Sequence, residues 1–256
     1  MLPPIAAIRI LRRDRRGSSS PVVVDTDQGL YFVKLRGAAQ GVATLVAEVV
    51  VAAVADRLGL PVPARRVVTL SSPVPTNDRN DELADLLLAS AGENLGFQFL
   101  EKARPVHPSD LERVSADFAS QVRWLDWLVA NPDRSRDNPN ILADGPRFWL
   151  IDHGAALPFQ HDWSSVTEDS PRRTPSPLPH LFDGLATRVD VWDPILTALL
   201  PREVIMAAVD QVPDSFLTPL LPAGGPSDML ARRRAAYVAY LWKRLQGPRP
   251  WIPGTQ

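Results

Sequence analysis

Residues 131–154 read NPDRSRDNPNILADGPRFWLIDHG. Four residues separate Asp133 from Asn138, and Asp152 follows the apolar run Phe148-Trp149-Leu150-Ile151 and precedes His153-Gly154. Two carboxylates and a carboxamide at this spacing suit phosphoryl transfer, where charge spreads over phosphate oxygens and catalysis is mostly positioning and neutralisation. Asp133 would orient an acceptor hydroxyl and take its proton. Asp152 would hold magnesium between phosphate oxygens, with the Asn138 side-chain oxygen as a further hard ligand. An ordinary turn accounts for 131–140 equally well, because Asx side chains bond their own backbone and proline fixes φ. The rest of the chain decides between the two.

Upstream, Val22–Val24 and Leu30–Leu35 are β-branched and aromatic runs separated by Asp25-Thr26-Asp27-Gln28-Gly29, which predicts a β-hairpin. The small-residue loop Arg16-Gly17-Ser18-Ser19-Ser20-Pro21 leads into its first strand. Strand alternation sets Lys34 on the face of Phe32, opposite Tyr31, Val33 and Leu35. A lysine there could reach nucleotide phosphates, or could be an edge-strand lysine that blocks aggregation. From Val42 to Leu58 apolar residues recur at the spacing of an amphipathic helix, and Gly59 ends it. Glu48 lies in that helix on a face of small residues, where it could pair with Lys34 or simply be solvated. A glycine/serine loop, strand lysine, helix glutamate, Asp-x-x-x-x-Asn and apolar-Asp-x-Gly therefore follow one another in the order of a kinase-like enzyme.

These residues identify a resemblance. The chain is similar to the HipA-like kinases, bacterial relatives of the protein kinase and phosphoinositide-kinase folds. The likeness rests on the Gly17–Pro21 loop, Val33-Lys34-Leu35, the helix carrying Glu48 and leading to Leu58-Gly59-Leu60-Pro61-Val62-Pro63, Asn131-Pro132-Asp133-Arg134 with Asn138-Pro139-Asn140, and Leu150-Ile151-Asp152-His153-Gly154. It covers residues 16–154. The resemblance implies an α+β, bilobal protein kinase-like fold, with a small β-rich N-lobe over 1–100, a helical C-lobe over 101–256, and ATP between them. It also implies Asp133 as catalytic base and Asn138 and Asp152 as Mg2+ ligands. Lys34 would contact phosphate with Glu48 as its partner, and Gly17, Ser18, Ser19 and Ser20 would cover the phosphates. The expected reaction moves the γ-phosphate of ATP to a hydroxyl, that of a protein Ser/Thr being favoured. A small molecule or lipid headgroup is the alternative acceptor, and a non-catalytic nucleotide-binding scaffold the alternative function.

Three departures from the family pattern stand out. The phosphate loop has one glycine, Ser135 stands where many protein kinases carry lysine, and the chain has no room for the N-terminal segment of the full toxin. Arg134 or Arg136 could supply the charge missing at Ser135, and a toxin role does not follow.

Composition narrows the remaining classes. Lys+Arg 28 against Asp+Glu 29 gives no global field for nucleic acid or an anionic membrane. With no cysteine, disulfides, thiolate catalysis and cysteine zinc sites are excluded. No Walker A or Gly-x-Gly-x-x-Gly sequence occurs, and His107, His153, His161 and His180 form no short metal-binding pair. The N-terminus does not read as a secretory signal, and no apolar run is long enough to span a bilayer, so a cytoplasmic protein is expected. Only three lysines occur against 25 arginines, which makes Lys34 harder to dismiss as random usage. A strand is expected over 66–70, an edge strand or hinge over 97–100, and a helix from a Ser109-Asp110 cap to Ala130 with Trp124 and Trp127 in its core. Residues 165–181 read as an irregular loop, followed by helices over 193–200, 202–212 and 228–245.

Overall fold

The computed structural model describes residues 1–13, 21–71, 74–76, 78, 80–174, 179–247, 249 and 252. The chain forms two compact units, one of residues 1–46, 63–101 and 212–225, the other of 47–62, 102–211 and 226–256.

The first unit is built on a closed barrel of five strands in the order β1-β2-β3-β5-β4: β1 Pro4–Arg13, β2 Val22–Thr26, β3 Gly29–Lys34, β4 Arg65–Leu70 and β5 Gly92–Gln98. The expected hairpin is β2–β3, with Val24 opposite Tyr31 and Gly29 at φ +100° in its turn. That φ suits glycine, which has no Cβ to clash. β1 pairs antiparallel with β2 and parallel with β4, closing the sheet and leaving no edge. Residues 97–98 end a central strand, β5, that pairs with both β3 and β4. Ile5, Ile10, Val22, Val24, Tyr31, Val33, Val68 and Leu70 form the core with Leu83 and Leu87 of helix α2, Asp81–Ala89. Close packing requires glycine at Gly96, where a Cβ would lie 2.4 Å from Val68 Cγ2.

Helix α1, Val42–Arg57, occupies the expected span, but its burial differs from that of an amphipathic surface helix. Every residue from Leu45 to Ala55 is buried, including Glu48. The sequence explains this, since Val, Ala and Leu surround the whole helix and leave no solvated stripe. Gly59, at φ +75°, terminates it as expected. Leu60 N–H donates to Ala55 O and Gly59 N–H to Asp56 O, the two bonds of a Schellman cap.

In the second unit, α3 (Ala116–Leu128) is capped by Ser115; the earlier Ser109-Asp110 lies in a separate 3-10 turn, Pro108–Arg113. The antiparallel hairpin β7 (Ile141–Asp144) and β8 (Arg147–Leu150) follows, with the two-residue strand β6, Arg104–Pro105, beside β7. Helices α4 (Val189–Ala198), α5 (Arg202–Val209) and α7 (Met229–Leu245) complete this unit, while α6, Asp214–Leu217, belongs to the first. Trp124 is fully buried and its Nε1–H donates to Asp193 Oδ1 at 2.7 Å, fixing α3 to α4. Among the described residues no helix is long and apolar enough to cross a membrane.

Candidate active site

The segment carrying Asp133 starts from the end of α3. Ala130 N–H donates to Trp127 O and Asn131 N–H to Asp126 O, a Schellman cap with Ala130, at φ +51°, in the position usually given to glycine. An L-residue there costs about 1 kcal/mol, and such strain persists only where surrounding contacts over-determine it. The contacts are present. Asn131 Oδ1 accepts from Asp133 N–H at 3.1 Å, and the Asn140 amide donates to both the backbone oxygen and Oδ2 of Asp133, each at 3.1 Å. Asn138 Nδ2 also reaches the Asp133 carbonyl at 3.4 Å. Asp133 is thus half-buried with one carboxylate oxygen held, while Asn138 is exposed.

Beneath this loop lies a buried polar cluster. Asp126 Oδ2 accepts from Arg134 Nε at 2.7 Å and pairs with His180 Nε2 at 2.9 Å, while its Oδ1 accepts from Asn131 Nδ2 at 2.9 Å. His180 Nδ1 accepts from Phe182 N–H at 3.1 Å, which assigns the ring proton to Nε2 and makes His180 a donor to Asp126. Burial pushes the Asp126 carboxyl up, but the Arg134 charge and the hydrogen bonds from His180 and Arg134 outweigh it and hold the group well below the usual carboxylate range. Arg134 also donates to Asn140 O. The guanidinium expected to offset Ser135 is therefore turned inward, with its side chain fully buried, and Arg136 is the exposed cation of the loop.

The β7–β8 hairpin carries the second carboxylate to the same place. Ile141 is opposite Leu150, and Ile151 N–H donates to Asn140 O at 3.1 Å, extending the ladder by one step. Asn138 and Asp152 consequently leave the hairpin at the same open end, where paired strands lie about 5 Å apart. Asp152 is half-buried and has φ +56°, so its backbone turns sharply where the strand ends.

The family model of the HipA-like kinases matches residues 7–214. This chain is a HipA-like kinase. Its fold is similar to that in the crystal structure of a Helicobacter pylori proinflammatory kinase, CtkA, with a TM-score of 0.53 and 13% identity over 94% of this chain and 98% of that one. No curated protein matches the chain at significant similarity.

The donor set of this HipA-like kinase fits magnesium in its chemistry. Mg2+ takes hard oxygen ligands from one or two carboxylates, keeps several waters and shares substrate phosphates. Asp152 and Asn138 offer such oxygens, and among the described residues no cluster of three His, Asp or Glu forms an all-protein cage. Lys34 lies in the first unit, buried on the outer face of the barrel beside Phe32 and opposite the core residues Tyr31 and Val33. The edge-strand role for Lys34 is ruled out, because β3 is paired on both sides. A solvated role for Glu48 is equally ruled out, because Glu48 is 0% exposed. Gly17, Ser18, Ser19 and Ser20 lie outside the described residues.

Sequence reading missed four residues of this HipA-like kinase that shape the segment carrying Asp133: Asp126, Asn131, Asn140 and His180. Asn131 and Asn140 lay within the quoted motif, and an asparagine at each end of a ten-residue stretch was a usable signal for side chains closing it. Asp126 is one of two acids on α3, and His180 is 54 residues away from it. Nothing local distinguishes either.

Proposed function

We propose that this kinase is an ATP- and magnesium-dependent phosphotransferase that moves the γ-phosphate to a hydroxyl, with a protein Ser/Thr as the favoured acceptor. The reading is supported by the backbone pairing of Ile151 with Asn140, which sets the end of the strand leading to Asp152 beside the loop that carries Asp133 and Asn138. Asp133 orients the acceptor hydroxyl and takes its proton, and the Asn140 amide fixes which oxygen faces the acceptor. Asp152 and Asn138 hold the metal, which when bound neutralises charge on the phosphate oxygens. Lys34 contacts phosphate and Glu48 orients it. Their burial supports these roles, because a buried charge requires a partner. In this reading the strand-rich and helical portions, divided near residue 100, are the two lobes of a kinase fold.

A second reading, a nucleotide-binding scaffold without turnover, is favoured by Ser135 together with the inward turn of Arg134. Incubation with γ-labelled ATP and Mg2+, beside Asp133→Ala and Asp152→Ala, separates the two. Phosphate transfer by the wild type, reduced at least a hundredfold in both variants, is the expected result. ATP binding with no transfer to itself or to lysate protein establishes the scaffold, and magnesium-independent binding unchanged in Asp152→Ala refutes the metal assignment.

A further inference from the structure

The second unit contains a cavity of about 440 Å³ whose wall includes residues of the segment that carries the candidate base. Asn131 and Pro132, the two residues before Asp133, form part of its wall. Four arginines line it against a single acid, Asp126. Two of the four are committed inward. Arg134 pairs with Asp126, and Arg244 of α7 donates to the carbonyls of Trp127, Leu128, Pro171 and Arg173. Arg244 thereby ties the end of α3, where the segment carrying Asp133 begins, to the 171–173 segment, of which Arg173 lines the cavity.

The remaining two face the opening differently. Arg123 lies over the Trp127 ring at 4.6 Å and reaches Asp183 at 3.2 Å. Arg173 is exposed, and no ion pair to it occurs among the described residues. Its backbone is nevertheless fixed: its N–H donates to Ser170 O at 3.2 Å and its carbonyl accepts from Arg244 at 3.0 Å. The cavity also has an aromatic side, on which Phe159 stacks with Tyr240 at 3.7 Å and the Tyr240 hydroxyl donates to Ser170 O. A cation on a pinned backbone beside an aromatic wall, in a cavity walled in part by the segment that leads into Asp133, is suited to an acceptor with both apolar and negatively charged parts.

We propose that this cavity is the acceptor subsite and that it selects an acceptor bearing a carboxylate or phosphate near the reacting hydroxyl, with Arg173 as the recognising cation. The inference rests on the phosphotransferase reading for the word acceptor, but the binding preference stands on the cavity. The anionic group comes either from an acidic residue of a polypeptide or from a free small acid.

The test uses the full chain and three probes: a peptide with one serine flanked by glutamates, its arginine-flanked counterpart, and O-phospho-L-serine. Each is titrated calorimetrically against wild type, Arg173→Glu and Arg173→Lys, and both peptides are also assayed for phosphate transfer. The glutamate-flanked peptide is expected to bind the wild type about tenfold or more tightly than the arginine-flanked one, and Arg173→Glu to reverse that order. Arg173→Lys should retain most of the preference, and unchanged melting temperatures show that both variants fold. If O-phospho-L-serine displaces the peptide at equal or lower concentration, the acceptor is a small acid; if the peptide binds more tightly, it is a polypeptide. Binding of the acidic probes without transfer supports the cavity's preference while counting against the phosphotransferase reading. Equal binding of the two peptides, no binding of any acidic probe, or full acidic-peptide affinity in Arg173→Glu overturns the proposal.

Discussion

Replacing Asp126 by Asn removes one charge from the cluster beneath the segment carrying Asp133 while preserving its shape. Asp126 is 2% exposed and receives Arg134, His180 and Asn131 on its two oxygens. An asparagine has one acceptor oxygen, so its amide must face donors on the other side, and the Arg134 guanidinium is left buried without a counter-charge. Removing one partner of a buried pair costs about 3–5 kcal/mol. For a chain of this size each kcal/mol shifts the melting temperature by about 2–4 °C, which gives a fall of about 6–20 °C. Urea denaturation and calorimetry measure the loss directly. The double variant Asp126→Leu with Arg134→Met removes both charges and should lose less than the sum of its single changes. The pH profile carries a second signature. The carboxyl of Asp126 is held below its unfolded value in the folded protein, so its contribution is complete above about pH 4 and is lost as the pH falls toward the folded value. Asp126→Asn should therefore show a shallower acid decline than the wild type. A loss below about 1 kcal/mol with an unchanged denaturant slope, or strict additivity in the double variant, refutes the view that this cluster anchors Asp133.

Asn140→Ala removes the amide that holds the Asp133 carboxylate and leaves alanine at φ +49°; about a tenfold or greater fall in kcat is expected, with ATP affinity retained. Asn140→Gly relieves the backbone without restoring the amide, so recovery of kcat by glycine shows that the effect was conformational and defeats the positioning role. Gly96→Ala places a methyl 2.4 Å from Val68 Cγ2 inside the barrel and should cost about 1–3 kcal/mol in a thermal melt; a neutral outcome means that β5 moves outward more easily than its pairing on both sides implies.

Much of the architecture was legible locally. The β2–β3 hairpin announced itself through β-branched residues around a glycine turn, and α1 through apolar residues recurring at helical spacing and ended by Gly59. In the candidate site, the Asp133–Asn138 spacing and the run before Asp152 were readable because the hairpin between them is local: twelve residues suffice to bring its ends together. β1 escaped notice because barrel closure depends on its parallel pairing with β4, some sixty residues away, and its own alternation is broken by two register shifts. The amphipathic reading of α1 failed because periodicity identifies one apolar face and cannot tell how many faces the rest of the chain will cover.

By itself, then, the sequence determined short-range order in this kinase: the β2–β3 hairpin, the helix α1 with its glycine stop, and which carboxylates stand beside a turn. Only the tertiary structure decided what the charges do. Arg134 and Arg173 are chemically the same side chain. Arg134 meets Asp126 and His180 in a buried cluster, so it supports the loop, whereas the fixed backbone of Arg173 holds its guanidinium exposed at the cavity. A guanidinium acts on whatever charge and dielectric surround it, and those are set by residues distant in sequence.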